Sequence, residues 1–188
     1  MVGAKGAAYY DDLYQRTVTG KEELARSWNR EIIEKVAPWI VGSVLDLGCG
    51  LGEIADEIDG GIYFGIDFSK IAIEEARKRV KNPRATFAFG DFRAYQHVAD
   101  SIGDFDTVLV VEVLEHLDDF DPVVRIAKAC AQKRIIATVP RDMPGKAHVK
   151  PQWYPADLRR LFGREMICEL FGGEAQDRWL LGVLEVGE

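Results

Sequence analysis

Four carboxylates are spaced so that each closes a short, largely apolar run: Asp46 after Val44-Leu45, Asp67 after Gly65-Ile66, Asp91 after Phe89-Gly90 and Glu112 after Val110-Val111. Between the first two lies Gly48-Cys49-Gly50-Leu51-Gly52, where glycines let the backbone turn tightly and come close to a ligand. Asp67 stands 21 residues after Asp46, a spacing at which an acid accepts the hydroxyls of a ribose. Asp91 is followed by Phe92; such a pair suits an adenine, the acid taking the exocyclic amine and the ring packing on the base. A dinucleotide would need other residues. Its fingerprint puts a third glycine three places after the second, where this chain has Glu53, and Asp46 would repel a pyrophosphate. Any one acid here is as readily a helix cap. Four in succession describe a ligand with a ribose, a purine, positive charge and no phosphate. S-adenosylmethionine, with its sulfonium and ammonium, fits.

The elements that must carry these residues alternate. Strands are expected at Ser43–Leu47, Ile62–Ile66, Ala85–Phe89, Phe105–Val111 and Arg134–Val139, the last stopped by Pro140. Helices are expected over 52–58, over 70–80 with Ser69 as cap, over 122–131, and over 155–162 with Pro155 in its first turn. Met166–Phe171 and Trp179–Val186 read as closing strands. Upstream, Thr19-Gly20-Lys21-Glu22 has the form of a capping box, opening a helix with Leu24, Trp28, Ile32 and Val36 on one face. Strands alternating with helices mean an α/β, doubly wound, mostly parallel sheet, whose ligands bind at the carboxyl ends of the strands. Every acid above stands at such an end.

Over Val44 to Val139 the chain resembles the class I S-adenosylmethionine-dependent methyltransferases. Val44-Leu45-Asp46-Leu47-Gly48-Cys49-Gly50-Leu51-Gly52 looks like the family's first motif, Gly65-Ile66-Asp67-Phe68-Ser69 its second and Gly90-Asp91-Phe92 its third. Phe105-Asp106-Thr107-Val108, leading to Glu112-Val113-Leu114-Glu115-His116, looks like its fourth. The resemblance implies a Rossmann-like sheet of seven strands with the last antiparallel. It implies that Asp46, Gly48, Cys49, Gly50 and Gly52 line the methionine part of the cofactor and that Asp67 holds the ribose. Phe68 would flank the base, Asp91 and Phe92 would hold the adenine, and Glu112 and Val113 would lie beside the sulfonium. One domain is expected: an N-terminal helical lid over 1–42 carrying Tyr9, Tyr10 and Tyr14, a cofactor-binding core over 43–139, and an acceptor-side loop with closing strands over 140–188.

The acceptor is read from the segment after the fourth strand. Glu112-Val113-Leu114-Glu115-His116 replaces the Asn/Asp-Pro-Pro-aromatic motif of amino methyltransferases acting on DNA or protein glutamine. Similar segments occur in small-molecule O-methyltransferases of the ubiquinone-biosynthesis type. They also occur in small-RNA 3′-terminal 2′-O-methyltransferases, where both acids, the histidine and a later histidine bind a divalent metal; His148 would be that later histidine here. On a helix Glu112, Glu115 and His116 share one face, and with His148 they form a candidate ligand set suited to Mn²⁺, Fe²⁺ or Zn²⁺ over Mg²⁺. The reading expects no metal and takes His116 as general base, held protonated to a higher pH by the two glutamates. Arg141, Lys146, His148, Lys150, Trp153 and Tyr154 form a basic and aromatic segment after strand five that would overhang the acceptor.

Composition agrees with a small-molecule enzyme. With 188 residues, 24 Lys+Arg and 31 Asp+Glu, the net charge of −7 argues against a general nucleic-acid partner. No apolar run approaches the ~20 residues of a membrane span. Cys49, Cys130 and Cys168 form no pair pattern and read as reduced thiols of a cytoplasmic protein. The expected activity is methyl transfer to a small acceptor, with O-methylation favoured. The alternatives are an RNA 3′-terminal 2′-O-methyltransferase or a non-catalytic S-adenosylmethionine-binding protein. Oligomeric state has no signature in the sequence.

Overall fold

The computed structural model describes residues 5–19, 24–58, 61–91, 102–143, 147–173 and 177–187. The capping box at 19–22, Phe92 and Lys146 lie wholly or partly outside them. The strands are β1 Val44–Leu47, β2 Tyr63–Asp67, β3 Ala85–Phe89, β4 Phe105–Val111, β5 Ala131–Pro140, β6 Ile167–Phe171 and β7 Trp179–Glu185. The helices are α1 Ala7–Val18, α2 Leu24–Val36, α3 Lys70–Arg79, α4 Asp121–Cys130 and α5 Pro155–Phe162.

The strands form one sheet in the order β3-β2-β1-β4-β5-β7-β6. All pairings are parallel except those of β7, which runs antiparallel to β5 and to β6. The chain winds outward from β1 through β2 and β3, then returns to lay β4 on the other side of β1. The connections leaving β1 and β4 therefore diverge, and the crevice between them is where a doubly wound sheet binds ligands. The glycine turn leaves β1 and the Glu112 segment leaves β4, so the topology delivers both to that crevice.

Burial on both faces explains the apolar strands. Leu45, Val108, Val110 and Ile135 face a layer with α4 and α5, whose Val123, Ile126, Ala127 and Leu158 meet them. Val44, Tyr63, Leu109 and Ile136 face the layer that holds Ile32 and Val36 of α2 and Ile73 and Ala76 of α3. Each buried Ile, Val or Leu contributes roughly 1.5–3 kcal/mol. The cap on α3 forms as its sequence suggests: Ser69 Oγ accepts from Ala72 N at 3.2 Å.

Three local outcomes depart from the sequence reading. The segment over 52–58 is a 3₁₀ turn, Glu53–Glu57, in place of an α-helix. β5 starts at Ala131, because Ala131 pairs with Phe105 across an irregularity in the β4–β5 ladder. The Glu112–His116 stretch is not a helix: only Leu114–His116 form a 3₁₀ turn, and Glu112 adopts a left-handed φ of 53°.

Candidate active site

The site grows from the end of β1. Asp46 is buried, registered against Gly65 of β2 and Leu109 of β4. Two residues later the chain leaves the ladder, and Gly48 and Cys49 both donate their N–H to Ile66 O, at 2.8 and 3.1 Å. Gly48 has a φ of +84°, and a Cβ there would stand 2.6 Å from Val113 Cγ2. Glycine is thus required both by the turn and by the side chain that β4 delivers beneath it. Gly50 N donates to Asp67 Oδ2 at 2.9 Å, while Asp67 Oδ1 accepts from Ser69 N at 2.8 Å. Asp67 therefore ties the glycine turn to the start of α3 and is fixed in orientation by both bonds.

Around this frame lies a cavity of about 320 Å³, within the range of small-molecule sites. Asp46, Gly48, Cys49, Gly50, Asp67, Phe68, Asp91, Glu112, Val113 and His116 all line it. Gly52 does not line it; its φ is +71°, and a Cβ there would press on the Phe87 ring at 2.6 Å, so it serves the turn. α1 contributes Tyr10, Leu13, Tyr14 and Thr17 to the wall. Tyr10 bridges the two ends of the cavity, its ring 5.1 Å from Phe68 and 5.5 Å from His116. Asp11 on the same helix accepts from Ser69 Oγ at 2.5 Å, joining α1 to the cap of α3. Tyr9 packs on Tyr10 and is not among the lining residues.

The electrostatics are those of buried acids facing a shared space. Burial pushes Asp46 up to about 7, opposed by the Tyr63 hydroxyl. Burial pushes Asp67 up to about 6, opposed by the Ser69 and Gly50 N–H groups. Burial also raises Glu112, to about 7, against the Thr138 hydroxyl that donates to its Oε1 at 3.0 Å. Glu115 is raised further, by burial and then by Glu112. A cationic ligand would draw these groups back toward the charged form.

At the far end, His116 Nδ1 lies 3.3 Å from Ala147 O and His148 Nδ1 lies 2.6 Å from Met143 O. The two imidazoles meet edge to face at 5.1 Å. Burial drives His116 down to about 4. This corrects the expectation that Glu112 and Glu115 hold it protonated: burial of the ring disfavours the imidazolium, and Glu115, whose Oε1 lies 3.6 Å from His116 Nε2, is itself raised well above the usual carboxylate range. Glu115, His116 and His148 bring one ligand atom each within 4.8 Å of one another. Glu115 Oε2 is buried with no hydrogen-bond partner among the described residues. Glu112 touches Glu115 and does not complete this cluster.

The basic and aromatic segment after β5 serves the fold more than the cavity. Trp153 is fully buried, Lys150 Nζ pairs with Asp157 at 2.6 Å and lies over the Trp153 ring, and Arg141 stacks on Tyr154. Of this segment only Ala147 lines the cavity among the described residues. Residues that sequence reasoning passed over are Tyr63, Thr138 and Ala147. The first two sit inside apolar strands, where a single polar atom gives no pattern.

Residues 44–133 match the family model described as a methyltransferase domain. Over that stretch the chain is similar to this family. Among curated relatives it is 30% identical over 100 residues to the ubiquinone biosynthesis O-methyltransferase of Vibrio campbellii, covering 52% of this chain and 43% of that protein. It is 33% identical over 102 residues to the enzyme of that name from Thiobacillus denitrificans, covering 53% and 43%. The match thus spans under half the length of these relatives. The fold is shared with magnesium protoporphyrin IX methyltransferase of Synechocystis with bound SAH, at a TM-score of 0.73, 18% identity, and 96% and 97% coverage. It is shared also with the methyltransferase domain of bacterial CtHen1-C, at a TM-score of 0.67, 17% identity, and 85% and 99% coverage.

Proposed function

We propose that this protein is a methyltransferase that binds S-adenosylmethionine in the cavity between the β1 and β4 exits and methylates a hydroxyl of a small-molecule acceptor. The observation that carries the reading is one continuous cavity joining Asp67, Phe68 and Asp91 at one end to Glu112 and His116 at the other. The cofactor, when bound, supplies a methyl group on a cationic sulfur. The chain's residues supply the rest. Asp67, held by two backbone N–H groups, accepts the ribose hydroxyls, and Asp91 with Phe92 takes the adenine. Asp46 and Glu112 give the cationic parts a negative surround. His116 is neutral at pH 7 and accepts the acceptor's hydroxyl proton, its ring oriented at Nδ1 by Ala147 O. α1 is the lid that keeps water from the reacting groups.

The relatives named for ubiquinone biosynthesis support an O-methyl acceptor, and a small one. Three free thiols and the lack of any helix long and apolar enough to cross a membrane among the described residues support a cytoplasmic setting. A methyl-transfer screen from labelled cofactor to phenolic acids, quinol precursors, amines and short RNAs tests the reading. Labelled phenolic or quinol products are expected. Label confined to amines or RNA, or cofactor binding with no product, would overturn it.

One observation favours a second reading. The cluster of Glu115, His116 and His148 has the donors of a divalent transition-metal site, with a buried orphaned carboxylate oxygen and both histidine Nδ1 atoms against backbone carbonyls. Those residues would hold a metal that activates a hydroxyl acceptor, such as an RNA 3′-terminal 2′-hydroxyl. Loss of turnover in a chelator and recovery with Mn²⁺ would select this reading over His116 as base.

A further inference from the structure

Tyr63 opens β2, two residues before Gly65, so the two side-chain positions point to one face of the sheet. Its ring is fully buried and packs against Phe87 at 5.7 Å. A phenylalanine would fill that space and bring no polar atom into the core. A buried phenol costs free energy unless its hydroxyl finds an acceptor. Here the hydroxyl donates to Asp46 Oδ2 at 2.6 Å, and Asp46 lines the cavity. The packing therefore does not account for the hydroxyl; the carboxylate does.

We infer that Tyr63 is a positioning residue for the cofactor: its hydroxyl fixes the Asp46 carboxylate, in its charged form, for the ammonium of the cofactor's amino-acid end. This rests on the proposal that the cavity binds S-adenosylmethionine. The sulfonium has no N–H or O–H to donate, so an oriented carboxylate is matched to the ammonium. The titratable groups that face Asp46 are Tyr63 from β2, Asp67 at the end of that strand and the Cys49 thiol in the glycine turn. Burial raises both Tyr63 and Cys49, so both keep their protons; Tyr63 acts only as donor and Cys49 is uncharged. Removing the hydroxyl takes away the bond that favours ionised Asp46, so Asp46 would keep its proton to a higher pH.

The test is calorimetric binding to the full chain from pH 5.5 to 8.5, with two probes. S-adenosylhomocysteine carries the ammonium; 5′-methylthioadenosine carries the nucleoside and neither the ammonium nor the carboxylate. Tyr63→Phe should weaken S-adenosylhomocysteine ~10-fold at pH 7 and less at pH 8.5, and leave 5′-methylthioadenosine within about 2-fold. Asp46→Asn should weaken S-adenosylhomocysteine ~10-fold or more and remove the acid limb of its affinity, with Tyr63→Phe adding nothing further. Equal losses for the two probes would make Tyr63 a packing residue and overturn the inference. So would unchanged affinity in Tyr63→Phe, or additive losses in the double variant. A parent protein that binds neither probe refutes the cofactor reading itself, and this role with it.

Discussion

Asp46→Asn should make the ligand-free protein more stable while it damages the site. Asp46 is 2% exposed, and burial drives its pKa up to about 7. An acid with a higher pKa in the folded than in the unfolded chain binds its proton more tightly when folded. Its contribution to stability is complete below about pH 4, the unfolded value, and is lost as pH rises through about 7. Above that window the buried charge costs about 4 kcal/mol, since the two values lie roughly three pH units apart at ~1.4 kcal/mol each. Asparagine keeps the shape and an oxygen that accepts from Tyr63, without the charge. It should therefore add ~2–4 kcal/mol at pH 8 and only about 1.5 kcal/mol at pH 5, about one pH unit above the unfolded value. For a chain of this size each kcal/mol moves Tm by ~2–4 °C, so the gain at pH 8 is large enough to read by thermal unfolding. The reasoning fails if the variant is less stable than the parent at pH 8, or if the difference is the same at both pH values.

Asp67→Ala should weaken S-adenosylhomocysteine ~10- to 100-fold by calorimetry, because it removes the ribose acceptor and frees Gly50 N–H and Ser69 N–H together. His116→Ala should lower turnover ~10²-fold or more in a labelled-methyl assay with cofactor affinity within about 2-fold; activity equal to the parent's would remove His116 from the chemistry. Deleting residues 1–18 takes away α1, and with it Tyr10, Leu13 and Tyr14 of the cavity wall. Circular dichroism should still report the sheet while turnover falls; full activity would show that α1 is no lid.

The part of the fold that positions the site was legible because it is driven by strong, local signals. Apolar runs ending in Asp46, Asp67, Asp91 and Glu112 mark parallel strands buried on both faces, and Ser69 marks a helix start. The glycine turn was legible because Gly48, Gly50 and Gly52 all take a positive φ, which few other residues tolerate. The bounds of α1 were not legible: Gly6 and the small residues beside it give weak helix signals, and the helix is held by Tyr10 against Phe68 and Asp11 against Ser69, contacts far apart in sequence. Glu112, Glu115 and His116 fit helical spacing equally well, but the exit from β4 spends Glu112 on a left-handed turn. Protonation was misread for a physical reason: spacing shows which charges are neighbours, while burial decides whether those neighbours are charged at all. Lys150 and Trp153 looked available for an acceptor because sequence does not show Asp157 folding back to pair with the lysine.

The central claim is that the crevice between β1 and β4 is built for a cationic nucleoside and not for a phosphate-bearing one. Calorimetric titration of the purified chain with S-adenosylmethionine, S-adenosylhomocysteine, NAD and ATP tests it most directly. The account predicts one site for each of the first two, lost or weakened in Asp67→Ala, and no heat of binding from NAD or ATP. Tight NAD binding with no S-adenosylmethionine signal would contradict it.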